Sequence, residues 1–427
     1  MKKLLQTKRR GSAIPLAVIV VLILLAMGTG LLSMGLNSRT FSLRTTLDIT
    51  ARSAADAGLT MALYQMNEKL KVKPWSGSSL PKGTDINLLY CDASYSYSVI
   101  GNIAKGYIMQ SVGTADQAQR TVYATIGLRG LFEHAILTKG SLVLKSGTTI
   151  DGYNSEDPLD TDFNVDIGTQ STEDSMIVLN SGVNVKGDVL VGLGGDPDTV
   201  IKDLGATTGD QFGGTEQDPL PLISPPALPD KGVIEAKSEI VTITPTENGQ
   251  YGNITLSSSS KAGILEIDGG DVVLYITGNI DLGNSCEIVV KDGASLTIYL
   301  DGDIVSGNGS SIGTENPTKD ALTIQLYGTG QGEQNFDIKA KNEWTGVIYA
   351  PNAHIDLYAN GDAYGAIVAD SFEFKNGGNY YYDEALRTVS LEDEGVRFVV
   401  ERWYEGSPKF SILDIEATPI KTKYAEK

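Results

Sequence analysis

The sequence predicts a mainly β protein with one long helix at its N-terminus. Three observations lead to this fold class: an uncharged span from Ser12 to Ser38, short near-repeats after His134, and 48 glycines among 427 residues. The span is long enough for a membrane helix, since about 20 apolar residues cross a bilayer. We therefore expect a transmembrane helix, a small β meander, and then a right-handed β-solenoid (β-helix) with a C-terminal cap.

Composition shifts divide the chain into seven expected parts. They are a basic leader (1–11), a transmembrane helix with its extension (12–72), a β meander (73–130), a first solenoid part (131–212), a Pro-rich strap or linker (213–232), a main solenoid (233–390), and a C-terminal cap with tail (391–427).

The charges around the apolar span predict its orientation. Five basic residues and no acidic residue lie in residues 1–10, so this end should stay in the cytoplasm while the bulk is exported. We expect a single pass through residues 13–35. The alternative is a cleaved secretory signal, whose apolar core is about 7–15 residues long and is followed by its cleavage site. Here the span is longer, and the small residue Gly11 precedes it.

The run RRGSAIPLAVIVVLILLAMG, together with TARSAADAGLTMAL at Thr50–Leu63, resembles the N-terminus of PilX-type minor pilins and K-type pseudopilins. This resemblance implies that a prepilin peptidase cleaves between Gly11 and Ser12, and that the helix joins other pilins or pseudopilins in a filament. Two features depart from the pattern. Leu16 stands at the fifth mature position, where major pilins have Glu, and Pro15 lies in the first helical turn.

Residues 39–70 should continue the helix, with many small residues along it and a stop at Lys73-Pro74. Small residues permit close approach either to a filament neighbour or to the chain's own domain, and both alternatives stay open. Three strands follow within residues 93–128, each rich in β-branched and aromatic residues. A helix followed by an antiparallel meander is the layout of a pilin head.

Near-repeats indicate the solenoid. VLYITGNI at Val273–Ile280 matches TIYLDGDI at Thr297–Ile304 with an offset of 24 residues, and GVIYAPNAHI at Gly346–Ile355 matches GAIVADSFEF at Gly365–Phe374 with an offset of 19. Such periods with glycine corners are typical of stacked coils. A β-sandwich is the rival interpretation. The predicted inward residues are Ile276, Ile280, Ile298, Leu300, Ile304, Ile348, Ile355 and Ile367, with Asn-Gly corners at 308–309, 360–361 and 376–377.

The block from Glu266 to Leu386 resembles a domain of unknown function found in exported bacterial proteins, often behind PilX-type N-termini. The resemblance rests on the GVIYAPNA motif at Gly346–Ala353 and the YDEAL ending at Tyr382–Leu386. It implies a β-helical surface module and brings no established activity.

Two further segments have structural interpretations. Residues 213–232 contain five prolines and should be extended, as a linker or as a strap across one solenoid face. The C-terminal β segments at Gly395–Gly406 and Lys409–Ala417 are expected to cap the solenoid, with Trp403 as an anchor.

The net charge of −19 argues against a nucleic-acid partner, because phosphate binding requires a basic surface. The two cysteines, Cys91 and Cys286, lie far apart and are expected to be lone buried thiols.

Few residues point to chemistry. His134 and His354 are solitary in sequence, and neither a nucleophile elbow nor a phosphate loop is present. We expect no enzymatic activity, no cofactor and no metal; weak Ca²⁺ candidates are Asp196, Asp198, Asp301 and Asp303. The alternative is a membrane-anchored carbohydrate-active β-helix enzyme (a polysaccharide lyase or hydrolase), which would need carboxylates clustered in a groove; Asp356 and Asp370 also lie in repeat coils.

The sequence therefore predicts a pilus-related, membrane-anchored structural or adhesive protein at the cell surface. Its expected partners are the membrane, other pilins or pseudopilins, prepilin peptidase and surface glycans. Sugars stack on aromatic rings, and the candidate binding residues are Tyr358, Tyr364, Tyr380, Tyr381 and Tyr382.

Overall fold

A computed structural model describes residues 13–157, 159, 163–215, 220–406, 417 and 419–420. The predicted cleavage site at Gly11 and Ser12 therefore lies outside the described residues, as does nearly all of the predicted strand at 409–417. The described chain divides into two compact units. Unit 1 contains residues 13–127 with those from 398 onward, and unit 2 contains residues 128–397. Unit 2 is thus inserted into the sequence of unit 1.

The described residues of unit 1 form one helix and five strands. These are α1 (Ala13–Leu70), β1 (Lys82–Asn87), β2 (Ser94–Asn102), β3 (Gly106–Ala115), β4 (Ala118–Arg129) and the last described strand, β30 (Arg397–Glu405). The strands form one sheet in the order β1-β2-β3-β4-β30, and the pairs β1–β2, β2–β3 and β3–β4 are antiparallel. The three-stranded meander predicted from the sequence is confirmed as β2, β3 and β4.

The first strands of unit 2 precede the Pro-rich segment. They are β5 (Ile136–Thr138), β6 (Leu142–Leu144), β7 (Thr149–Tyr153), β8 (Ile167–Thr169), β9 (Ile177–Leu179), β10 (Asn184–Val185), β11 (Val189–Val191), the short helix α2 (Pro197–Val200), β12 (Ile201–Asp203) and β13 (Gln211–Gly213).

The remaining strands of unit 2 follow the Pro-rich segment. They are β14 (Ile234–Lys237), β15 (Ile240–Ile243), β16 (Gly249–Tyr251), β17 (Ile254–Ser257), β18 (Ile264–Ile267), β19 (Asp271–Ile276), β20 (Ile280–Leu282), β21 (Glu287–Val290), β22 (Ser295–Leu300), β23 (Ile304–Ser306), β24 (Ser311–Thr314), β25 (Ile324–Gly328), β26 (Gln334–Ala340), β27 (Trp344–Ala359), β28 (Ala363–Phe374) and β29 (Asn379–Asp383). Three 3₁₀ turns lie at Pro245–Glu247, Ala321–Thr323 and Glu384–Arg387.

Parallel pairing organises unit 2. One series runs β16–β19–β22–β25–β27, a second runs β14–β17–β20–β23–β26–β27, and a third runs β15–β18–β21–β24. Within each series, neighbouring strands come from successive repeats of the sequence. The structure confirms a mainly β chain with a long N-terminal apolar helix and large sheets.

The near-repeats found in the sequence are neighbours in these sheets. Val273 pairs with Thr297, and Gly346 pairs with Gly365, as the offsets of 24 and 19 predict. The second match changes register after Ala350, because an irregularity in β27 brings His354 opposite Ser371. All eight predicted inward residues are buried, with at most 2% of their surface exposed.

The order of the strands in space differs from their order in the chain. β28 pairs with β5 and β6, and β29 pairs with β7. The series then continues through β8 to β13, with β11 paired to both β8 and β13. The first part of unit 2 therefore pairs with the last strands of the main part. Residues 379–383 of β29 pair with residues 149–153 of β7, near the beginning of the unit.

The Pro-rich segment connects β13 to β14. The hydroxyl of Tyr349 in β27 donates a hydrogen bond to the carbonyl of Pro221 (2.8 Å), and Ile223 is buried in the core of unit 2. Part of this segment therefore lies against the sheet, although the segment has no strand pairing of its own between residues 220 and 229.

The C-terminal cap predicted from the sequence is wrong for the described residues. β30 joins the sheet of unit 1, where the backbone N–H of Gly406 donates to the carbonyl of Thr121 in β4 (2.7 Å). Phe398 packs there against Trp75 and Tyr107, with ring centroids 5.6 Å away in both cases. An alternating apolar strand fits either sheet, and only tertiary packing chooses between them.

Candidate functional site

The first part of α1 is an exposed apolar surface. Every described residue from Ile14 to Phe41 has an exposed side chain, and the most apolar 18-residue window has a mean hydropathy of 2.6 with none of it buried. The helix is long and apolar enough to cross a membrane. An apolar surface of this size requires lipid or another apolar partner.

The last part of α1 packs on the sheet of its own unit. Ala51, Ala54, Ala55 and Ala62 are fully buried. A Cβ atom on Gly113 of β3 would lie 2.0 Å from the carbonyl oxygen of Ala51, so only glycine permits this approach. The sequence allowed the small residues of α1 to pack either on a filament neighbour or on their own domain. From Ala51 onward they pack on the sheet of their own unit, and the exposed part of the helix precedes them.

Charged contacts hold the helix, β4 and β30 together. Arg120 Nη2 lies 3.0 Å from Asp48 Oδ2, and Arg52 Nη1 lies 3.8 Å from Glu405 Oε2. The guanidinium of Arg52 also lies over the ring of Trp403, 5.2 Å from its centroid. Trp403 therefore helps to attach β30 to α1 within unit 1.

The five candidate tyrosines divide into two groups. Tyr380 and Tyr382 are fully buried, and burial raises the pKa of both phenols. Neither ring is accessible to a sugar. Tyr358, Tyr364 and Tyr381 are half-buried on the outer surface, as alternation along a strand requires.

Tyr364 and Tyr381 stack on each other, with ring centroids 5.1 Å apart and an interplanar angle of 18°. The ammonium of Lys319 lies 5.3 Å from the centroid of the Tyr364 ring. Burial and the neighbouring carboxylate of Asp362 raise the pKa of Tyr364 to about 12. Asn379 Nδ2 donates to Asp362 Oδ1 (3.0 Å), so polar groups surround this tyrosine pair.

The weak Ca²⁺ candidates are scattered. Asp196 is the N-cap of α2 and accepts a hydrogen bond from the N–H of Asp198 (3.1 Å). Asp301 accepts hydrogen bonds from the hydroxyls of Tyr275 and Thr329, both at 2.6 Å, and Asp303 accepts one from the N–H of Asn335 (2.8 Å). Within the described part of the chain, no group of three or more His, Cys, Asp or Glu residues could hold a metal ion.

The two cysteines are free and differ in exposure. Cys286 is buried as expected, whereas Cys91 is exposed in the connection between β1 and β2. The prediction of a buried thiol at Cys91 is therefore wrong, because residues 89–92 of this connection are all exposed.

Carboxylates meet on adjacent strands where the sequence showed no cluster. Asp337, Asp356 and Glu373 are successive partners on β26, β27 and β28. Lys375 Nζ lies 2.6 Å from Glu373 Oε2 and 3.2 Å from Asp356 Oδ2, and Lys145 also pairs with Glu373. Burial opposes ionisation of Glu373, but hydrogen bonds from the two lysines outweigh it and keep its pKa below the usual value. Asp370 is not part of this row.

His354 was predicted to be solitary, and the structure corrects this interpretation. Its Nδ1 lies 2.7 Å from Ser371 Oγ, and its Nε2 lies 3.1 Å from Asp356 Oδ1. The near-repeat within residues 346–374 was the sequence signal for this contact, because it indicated that β27 and β28 are neighbours. The register shift after Ala350 determines which residue stands opposite His354, and the sequence repeat does not show it.

These features define a class of protein: a chain with one helix of membrane-spanning length, a small helix-and-sheet unit, and a large parallel-sheet unit. A family model described as a domain of unknown function (DUF7305) matches residues 231–389. No curated protein matches the chain.

Among solved structures, the chain is similar to the competence-associated pilin ComZ from Thermus thermophilus, with 12% identity. The match covers 84% of this chain and 98% of that chain, with a TM-score of 0.23. At that TM-score, the similarity does not establish a shared fold.

Proposed function

We propose that this chain is a pilus-related, single-pass membrane protein that carries unit 2 outside the cytoplasmic membrane as a surface structural or adhesive component. The continuity of α1 carries the proposal. One helix of 58 residues is apolar and exposed over its first part, then packs on an antiparallel sheet over its last part. A soluble domain gains nothing from such an exposed extension.

The same helix suits both a membrane and a filament. Lipid covers its apolar side chains before assembly, and apolar helices of neighbouring pilins would cover them afterwards. Prepilin peptidase would act between Gly11 and Ser12 and remove the basic leader, which otherwise keeps the N-terminus on the cytoplasmic side.

The test is the N-terminus and intact mass of the protein in membrane and sheared-surface fractions of its native host. A chain that starts at Ser12 in the sheared fraction supports processing and filament entry. A chain that starts at Met1 and stays in the membrane contradicts both, and leaves a membrane anchor with an exported domain.

Deletion of residues 12–38 provides a second test. Without the apolar span, the exported part should be released from the membrane and filament assembly should be lost, since the helix supplies both contacts. Unchanged assembly would contradict the pilus-related function.

We also propose that unit 2 is a β-solenoid, in which the three parallel series are faces of one coil. Asp281 and Val305 are partners on β20 and β23, whereas Thr255 lies one strand further away on β17. With Cys91 and Cys286 replaced by Ala, a disulfide should form in Asp281→Cys/Val305→Cys. It should not form in Thr255→Cys/Val305→Cys, because two strand spacings of about 4.8 Å exceed disulfide reach. Equal oxidation of both pairs would contradict the solenoid.

For the adhesive role, we propose that surface glycans contact the exposed edges of the Tyr364–Tyr381 pair, with Asp362 and Asn379 as polar partners. The full chain on a glycan array should lose binding after Tyr381→Ala. Tyr358→Ala is the matched control, since Tyr358 is another half-buried outer tyrosine. Equal losses in both variants, or no glycan binding by the native chain, would contradict this site.

A further inference from the structure

Three polar side chains on the outer surface of unit 2 form a continuous row: Ser371, His354 and Asp356. Ser371 Oγ lies 2.7 Å from Nδ1 of the His354 imidazole, and the opposite ring nitrogen, Nε2, lies 3.1 Å from Asp356 Oδ1. A hydroxyl, an imidazole and a carboxylate in this order are the groups that activate a serine for nucleophilic attack.

The sheet holds the three residues in place. His354 and Asp356 are two residues apart on β27 and therefore face the same side of the strand. Ser371 is the direct partner of His354 on β28. Their inward neighbours, Ile355 and Phe372, are buried, so the backbone beneath the row is fixed by core packing.

The two carboxylate oxygens of Asp356 have different surroundings. Lys375 Nζ lies 3.2 Å from Oδ2. Oδ1 is buried and makes no well-aligned hydrogen bond with any described group, although Nε2 is close to it. A buried polar atom without a partner is uncommon and requires an explanation. Catalytic hydrogen bonds are often poorly aligned in the absence of substrate.

The row is also accessible. The side chain of His354 is 46% exposed and that of Asp356 is 24% exposed, so a substrate can approach the histidine from solvent. In the serine protease triad, Nε2 of the histidine faces the serine and Nδ1 faces the carboxylate. Here Nδ1 faces Ser371 and Nε2 faces Asp356. The chemistry requires only that one nitrogen accept the serine proton while the other donates to the carboxylate.

We propose that Ser371, His354 and Asp356 form a nucleophile–base–carboxylate triad that transfers acyl groups from carboxylic esters. Ser371 Oγ attacks the ester carbonyl carbon while its proton moves to His354 Nδ1. The C–O bond to the alcohol breaks, and the alcohol leaves with the proton from His354. Water then attacks the acyl-serine with the histidine again as base, which releases the carboxylic acid and restores the serine.

This inference does not depend on the proposed function. A pilus component with or without filament entry could carry the triad, and a failure of the triad would leave the membrane and surface proposals unaffected.

The experiment uses the full chain in detergent with a fluorophosphonate probe, which phosphonylates activated serines, followed by peptide mass spectrometry. Ser371 should be labelled. Ser295 is the internal control, because its hydroxyl donates to the carboxylate of Asp271 (2.7 Å) without an imidazole. Labelling of Ser371 no faster than that of Ser295 would overturn the proposal.

Variants extend the test to turnover of p-nitrophenyl acetate. Ser371→Ala should abolish labelling at that peptide, and His354→Gln should slow both labelling and turnover about 10²–10⁴-fold. Asp356→Asn should slow turnover up to about 10⁴-fold. Ser295→Ala should change nothing. Only variants whose melting temperature equals that of the native protein are compared, so that a loss of folding cannot explain a loss of activity. Native turnover that persists in folded Ser371→Ala would contradict the role of this serine.

Discussion

The two parts of the parallel-sheet unit, β5–β13 and β14–β29, are built from similar short strands but acquire their neighbours differently. Along β14 to β28, strands pair with strands from the next repeat, such as β19 with β22. β5, β6 and β7 pair with the next repeat of their own part, β8, β9 and β10, and on their other side with β28 and β29, from the opposite end of the unit's sequence. Both parts therefore contain pairings between successive repeats, whereas the pairing between the two parts joins strands far apart in the sequence.

This difference affects folding and energetics. In stacked-repeat proteins, stability is approximately the sum of each repeat and its contacts with its neighbours. Contacts between residues distant in the chain form late, because the loop that joins them must first be ordered. The boundary formed by β28 and β29 with β5, β6 and β7 is therefore the point where the first part depends on the main part.

The largest expected effect comes from Phe374→Ala at this boundary. Phe374 is fully buried in β28 and is the partner of Leu144 in β6. Loss of its ring should lower the free energy of unfolding by about 3–5 kcal/mol. Hydrogen exchange should increase first in β6 and β9, because their attachment to the main part is weakened.

Phe336→Ala is the matched control for Phe374→Ala. Phe336 is 1% exposed in β26, within the main part, and its neighbours are Ile304 and Ile355. Its loss should cost a similar free energy but increase exchange in β23 and β26. The same exchange pattern in both variants would mean that the two parts unfold as one unit. That result would contradict the difference between β5–β13 and β14–β29.

The next effect comes from a pair of matched glycines, Gly147 before β7 and Gly293 before β22. Both have φ +77° and nothing within 4 Å of an added Cβ atom. Gly147→Ala and Gly293→Ala should each cost about 1–2 kcal/mol of unfolding free energy, because L-residues disfavour this backbone conformation. The measurement is the denaturant midpoint; clearly unequal costs would show that the two parts do not unfold together.

A smaller effect is expected from Tyr349→Phe. This variant removes the hydrogen bond to the carbonyl of Pro221, in the segment that connects the two parts. We expect a loss of about 1 kcal/mol, since the ring stays in place and one hydrogen bond is lost. Hydrogen exchange should increase at residues 222–224. Unchanged exchange there would show that this contact does not hold the segment on the sheet.

The smallest effect is expected from Glu373→Gln, which removes the ion pair that links β28 to Lys145 beyond β6. The lowered pKa of Glu373 stabilises the fold above the ordinary carboxyl pKa, and this stabilisation is lost as pH falls through the lowered value. Burial alone would lower the pKa of Lys375, but the hydrogen bonds that its ammonium donates to Glu373 and Asp356 raise it, so its contribution is lost only as pH rises through that raised pKa.

The difference between native protein and Glu373→Gln should therefore be about 0.5–1 kcal/mol between roughly pH 5 and 10, and should shrink outside that window. Melting temperatures across this range test it. Glu235→Gln, which removes an exposed pair with Lys237, is the control and should leave stability unchanged. A pH-independent effect of Glu373→Gln would contradict the ionic origin.

Much of the fold could be predicted because its signals are local. Three of these signals depend only on residues close in sequence. They are the apolar span ending near Ser38, the three strands of the meander, and the offset of 24 residues between Val273 and Thr297. Inward residues such as Ile298 followed from alternation alone, because side chains of a strand point to opposite faces.

Other features escaped prediction because they depend on distant segments or on register. β30 is a short strand rich in apolar residues, like the strands of unit 2, yet it pairs in unit 1, where Phe398 packs beside Tyr107. Tyr380 and Tyr381 are adjacent in sequence but lie on opposite faces. His354 meets Ser371 rather than the residue two positions further on, because the strand shifts register after Ala350.

The sequence by itself determined that an apolar helix precedes glycine-rich repeats, and which side chains of each repeat turn inward, because hydrophobic periodicity acts within a few residues. Only the tertiary structure decided that β5 follows β28 in space and that a serine, a histidine and a carboxylate meet on β27 and β28. The physical reason is that parallel strands pair across long connections. Short hydrophobic strands are nearly interchangeable as partners, so the packing of the whole unit selects among them.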